Sequence, residues 1–166
     1  AFSKHFNIMF SVTFQHNWEI PNDPYNDERA LERNKDEFFP YFQANFSNIN
    51  RDLSIMFTGY SRLKNNTNSA WNVTGNSLTY DPSAPGTVCK YSITSIIVTD
   101  QADKVGTSAH EIGHALGMPH LFDTHPSECA SDPGLMCYGS RGFFFNQPSI
   151  NATLDHLENF GGCLNN

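Results

Sequence analysis

Residues 110–120 read His-Glu-Ile-Gly-His-Ala-Leu-Gly-Met-Pro-His, and no other stretch restricts the chain so tightly. Residues four apart share one face of a helix, so the imidazoles of His110 and His114 can point at one ion. Gly117 can take a positive φ and end that helix in a sharp turn. The chain then doubles back and presents His120 as a third nitrogen. Three neutral imidazoles leave a tetrahedral zinc one open position for water, whose pKa the ion lowers. Glu111, beside the first ligand, is placed to act as general base toward that water. One catalytic Zn2+ on His110, His114 and His120 is therefore expected, with Glu111 catalytic. Ordinary surface or core histidines are the competing reading. A pattern that fixes five residues at set spacing, on an expected helix after a strand, weighs against it.

The remaining composition narrows the setting. With 166 residues the chain is of single-domain size. At 39% hydrophobic and 13% aromatic, with 14 Phe, it is too apolar to be disordered. Ten Lys+Arg against 17 Asp+Glu give a net charge of −7. An acidic chain without a basic cluster is a poor ligand for nucleic acid or anionic membranes. No apolar run is long enough to span a bilayer. The four cysteines, Cys89, Cys129, Cys137 and Cys163, form no C-x-x-C pair and fit two disulfides, which four cysteines can form in three ways. N-x-S/T sequons at Asn45, Asn65, Asn72 and Asn151 are candidate glycosylation sites. Together these features point to a secreted or luminal protein. The chain opens at Ala1 rather than Met, which reads as a form whose leader has been removed.

Along the chain, residues 6–14 (FNIMFSVTF) read as a buried strand and residues 16–27 as a loop. Residues 27–48 show helical spacing, with Pro40 expected to kink or split the helix. Residues 53–60 read as a second strand, 64–77 as an exposed connection, 80–86 as a turn-rich loop and 91–99 as a third strand. A helix is expected from Asp103 or Thr107 to Leu116, with Asp100 and Asp103 as N-capping candidates. Residues 117–147 read as irregular, and 148–160 as a closing helix with Pro148 near its start.

Gly134-Leu135-Met136-Cys137-Tyr138 follows the histidine motif and resembles the Met-turn of the metzincins, just as H-E-x-x-H-x-x-G-x-x-H resembles their signature. The chain thus resembles a metzincin zinc endopeptidase, most closely the adamalysin or reprolysin branch that includes snake-venom metalloproteinases. The first strand, the helix at 27–48 and the position of Cys89 extend the likeness over nearly the whole chain. The branch usually has Asp directly after the third histidine; here that residue is Leu121, and Asp123 comes two later.

The resemblance implies an α+β, zincin-like fold. Its twisted mixed sheet and two long helices would form an upper subdomain, about 1–117, of a single catalytic domain spanning 1–166. A small irregular lower subdomain, about 118–166, would carry the C-terminal helix. Met136 would floor the zinc site. Cys89–Cys163 and Cys129–Cys137 would be the disulfides. The activity implied is hydrolysis of internal peptide bonds in a protein or peptide lying extended along the cleft. Residues 91–99, or the loop before them, would offer backbone groups to it. Residues 137–145 are candidates for the specificity pocket, although core packing is the better expectation for Phe143, Phe144 and Phe145. The family also implies a zymogen and a secreted monomer, and fits a venom or salivary toxin. Met136-Cys137-Tyr138 resembles the Met-x-Tyr of astacins, in which Tyr138 would be a zinc ligand or transition-state stabiliser. An astacin- or matrixin-like protease, and a catalytically silent zinc-binding module of the same fold, are the alternatives.

Overall fold

The computed structural model describes residues 1–18, 31–49, 51–58, 75–77, 91–95, 101–137 and 142–160. Its elements are α1 (Phe2–Phe6), α2 (Leu31–Phe46), β1 (Ser54–Thr58), β2 (Gly75–Ser77), β3 (Tyr91–Ser95), α3 (Gln101–Ala115), α4 (Leu121–Thr124), α5 (Pro126–Ser131) and α6 (Gln147–Phe160). Helix and strand are mixed, with little strand among the described residues.

The sheet has the order β1-β3-β2. β1 runs parallel to β3, with Ser54 opposite Tyr91 and Thr58 opposite Ser95. β2 runs antiparallel to β3, with Gly75 opposite Thr94. The sheet is therefore mixed, as expected. β3 is its centre, however, and both of its edges are paired to neighbouring strands. Over Ser92–Thr94 the expectation that this stretch offers backbone groups to a peptide is corrected, since its N–H and C=O groups serve two ladders; residues 96–99 and the loop before Tyr91 lie outside the described residues. Among the described strands β2 is the antiparallel edge.

α3 and α2 both pack against β2 and β3. Ile112 and Leu116 lie roughly 200° around α3 from His110 and His114, because each residue advances the helix by about 100°. One face of α3 thus carries imidazoles while the opposite face enters the core. There Ile112 and Leu116 meet Phe2, Met118, Leu121, Leu135, Met136, Cys137 and Phe145. Each fully buried side chain of this size contributes roughly 1.5–3 kcal/mol, so this packing fixes the helix that carries His110 and His114.

Three expectations are corrected. Residues 6–14 are not a strand: α1 takes Phe6, Asn7 ends that helix in the left-handed region at φ 55°, and residues 7–18 have no regular structure. Phe2 and Phe6 turn onto Phe145, with ring centroids 4.9 and 6.0 Å away. Farther along, Phe14 and His16 pack on Phe46 of α2, and the Trp18 indole N–H donates to the Tyr41 hydroxyl. Aromatic contacts hold the two ends of the segment, while Met9, Phe10 and Val12 between them are exposed; β-propensity alone does not enforce strand pairing. Pro40 does not split α2, which is continuous through it. Pro40 is exposed while Phe38 and Phe42 are buried, so the hydrogen bond its ring removes lies on the water side. Residues 117–147 are not wholly irregular, since α4 and α5 lie there. Pro126 starts α5, where a missing N–H costs nothing, and Glu128 favours the positive end of its dipole.

Candidate metal centre

α3 ends where the motif requires. Gly117 has φ 87°, its N–H donates to the His114 carbonyl (2.9 Å), and the Met118 N–H donates to the Gly113 carbonyl (3.0 Å). This paired capping pattern needs a left-handed residue, and glycine takes it without a Cβ penalty. The turn carries Met118, the exposed Pro119 and then His120 back across the helix end.

The three imidazoles converge. His110 Nε2 lies 3.1 Å from His114 Nε2 and 3.2 Å from His120 Nε2, and His114 and His120 Nε2 are 2.9 Å apart. The outer nitrogens explain the aim. His110 Nδ1 donates to the Leu135 carbonyl at 2.6 Å, and His114 Nδ1 donates to the Met118 carbonyl at 2.7 Å. A carbonyl only accepts, so each Nδ1 carries the proton and each Nε2 presents a lone pair inward. His120 Nδ1 lies 3.7 Å from Asp123 Oδ2. Three nitrogens stand at hydrogen-bond distance, and two of them, on His110 and His114, have their ring protons committed to carbonyls on the far side; their lone pairs repel one another unless a cation sits among them. In a tetrahedral zinc site, bonds of 2.0–2.1 Å place ligand nitrogens about 3.3 Å apart. The donor set therefore fits zinc. Among the described residues no further His, Cys, Asp or Glu donor joins the cluster. An open position is the mark of catalytic sites.

Burial lowers the His114 pKa to about 4; the Met118 carbonyl opposes that shift and nearby His120 adds to it. His114 is thus neutral and ligand-ready at ordinary pH. Glu111, next to His110 on α3, is buried.

The Met-turn is tied to the site by backbone and packing. The Leu135 carbonyl holds His110, the Met136 carbonyl accepts from the Leu121 N–H (3.1 Å), and the Leu135 N–H donates to the Phe144 carbonyl (2.8 Å). Met136 is fully buried. A Cβ at Gly113 would stand 2.7 Å from its Sδ, so Gly113 opens the space in which the thioether lies. Cys129 of α5 is disulfide-bonded to Cys137, which staples α5 beside this turn.

Other expected site residues fall as follows. Tyr138, Cys89, Cys163, Asn65, Asn72 and Asp100 lie outside the described residues. Asn45 on α2 and Asn151 on α6 are exposed. Of the phenylalanines, Phe145 is in the core and Phe143 is 53% exposed. Sequence reasoning gave no role to Gly113 or His156. A glycine beside a metal-ligand histidine was the available signal for the first. His156 comes from α6, and its placement has no local signature.

A three-histidine site of this kind, on a helix closed by a glycine turn and supported by a buried methionine, belongs to the zinc-dependent metallopeptidases. The metallo-peptidase family M12B, reprolysin-like, matches residues 1–161, and the chain belongs to that family. Membership favours the reprolysin branch over the astacin and matrixin alternatives. No individual curated protein matches the chain. Among the described residues no helix is long and apolar enough to cross a membrane.

Proposed function

We propose that this protein is a secreted zinc endopeptidase that hydrolyses internal peptide bonds with Glu111 as general base. The observation that carries the reading is the convergence of the three Nε2 atoms, two of them fixed as lone-pair donors by backbone carbonyls. His110, His114 and His120 hold the ion. When bound, zinc acidifies a water and polarises the scissile carbonyl. Glu111 takes the proton of the attacking water and delivers it to the leaving amine. The buried setting of Glu111 keeps bulk water from competing for that proton. In this reading β2, the antiparallel edge among the described strands, pairs with a substrate in extended form. The Cys129–Cys137 disulfide supports an oxidising, extracytoplasmic setting. Synthesis as a zymogen and action as a monomer complete the reading.

The test is casein cleavage by wild-type and Glu111→Ala protein, with and without chelator, alongside zinc content. The expected result is cleavage by wild type alone, abolished by chelation, with zinc retained in the variant. A wild type that holds one zinc yet cuts nothing in a broad peptide library would instead establish the silent binding module.

A further inference from the structure

We propose that His156 of α6 is a positioning residue for the third metal ligand, acting through Gly117. This rests on the zinc reading above and adds a control that the histidine motif does not contain.

His120 hangs from a turn rather than from a helix. Between the end of α3 at Ala115 and His120 stand only Leu116, Gly117, Met118 and Pro119. Those residues carry two tasks: they place His120, and the Met118 carbonyl holds His114 Nδ1 at 2.7 Å. Any drift of the turn therefore disturbs two of the three ligands together. Gly117 is held from below by His156. A Cβ at position 117 would stand 2.7 Å from His156 Cγ, 2.8 Å from its Cβ and 2.8 Å from its Nδ1. The base of the imidazole occupies the space that any side chain at 117 would need, so the ring and the bare glycine Cα are complementary surfaces.

The approach is built into α6. Ser149, Thr153 and His156 recur at helical spacing and are all buried. Small residues at 149 and 153 let this helix come close, and the larger ring at 156 reaches the ligand turn. α6 thereby transmits its own docking to the metal site. The three heavy atoms nearest the space beside Gly117 all belong to His156.

The role differs from generic core packing in what it predicts. Loss of the ring frees the Gly117–His120 turn without needing to unfold the rest. His156→Ala should release zinc at least tenfold faster than wild type in a chelator-competition assay, at a temperature well below its unfolding midpoint. His156→Phe keeps a flat ring in the seat and should restore a near wild-type rate. Ile150→Ala, on the same helix and packed against the core but about 240° around α6 from His156, serves as the destabilised control and should release zinc at the wild-type rate. If His156→Ala does not fold, His156→Leu, which fills volume without a flat ring, takes its place.

A second readout needs no metal. Backbone hydrogen exchange of Met118 and Leu121, whose N–H groups bond to Gly113 and Met136, should accelerate in metal-free His156→Ala and stay unchanged in Ile150→Ala. Unchanged exchange and zinc release in His156→Ala overturn the proposal. So does an equal acceleration in Ile150→Ala, or a failure of His156→Phe to restore the rate. A wild type that binds no zinc sinks the function proposed above, while the exchange data still decide the role of His156.

Discussion

Gly113 and Met136 occupy one space: a side chain at 113 would start 2.7 Å from the Met136 sulfur and 3.1 Å from that of Met118. Gly113 stands inside a helix, where glycine is about 1 kcal/mol worse than alanine. The chain accepts that cost, and the thioether lies against the helix backbone between His110 and His114.

Gly113→Ala therefore sets helix propensity against overpacking. At an exposed site the gain of about 1 kcal/mol would win. Here Met136 is fully buried, and forcing atoms into a packed core costs typically 1–3 kcal/mol. The variant should be destabilised by up to about 2 kcal/mol in urea unfolding and should bind zinc more weakly. A stabilised variant would show that the methionine yields freely.

Acid should weaken the metal-free protein. Burial holds His114 at about 4, whereas an unfolded histidine titrates near 6.5. Between those values the unfolded chain takes up a proton that the folded one refuses. Stability is then complete above pH 6.5 and falls as pH falls toward 4, by about 3 kcal/mol in all. Burial also lowers His156 and His5, with the same sign. Urea midpoints of chelated protein at pH 7 and pH 4.5 measure the sum, and His114→Gln should flatten the slope. An equal slope in that variant removes His114 from the account.

The Cys129–Cys137 bridge closes a short loop, with a sequence separation of 8. Loop-closure entropy for that length corresponds to about 2.5 kcal/mol. The double substitution Cys129→Ala, Cys137→Ala should lower stability by roughly that amount. Cys137 adjoins Met136 in the core, so zinc affinity should fall as well. A stability loss with zinc affinity unchanged would show that Met136 keeps its place without the staple.

The three-histidine cluster was legible because its logic is local. Helical spacing, a glycine turn and a return histidine all lie within residues 110–120, and they fold as their own chemistry dictates. The Cys129–Cys137 pairing came from family likeness and is present. Residues 6–14 misled because an apolar, β-branched run fits a strand, yet pairing needs a partner that propensity does not supply. Met9, Phe10 and Val12 are exposed, while Phe14, at the end of the run, rests on Phe46 of α2. α4 and α5 are too short for periodicity to reveal, and their stability comes from packing. That β3 is the sheet's centre depends on β2, a three-residue strand with no pattern of its own.

Asp123 measures how far outer contacts matter here. Its carboxylate lies 3.7 Å from His120 Nδ1, one helical turn away in sequence. Partners of metal-bound histidines are often worth 10–100-fold in metal affinity. That figure describes tight, shielded hydrogen bonds. Asp123 is 64% exposed and the contact exceeds hydrogen-bond distance, so water screens it and about 0.2–1 kcal/mol is the applicable scale. Asp123→Asn should therefore raise the zinc Kd by less than about fivefold, with the effect shrinking in added salt. A tenfold or larger rise, insensitive to salt, would mean that the carboxylate closes onto His120 when the ion binds.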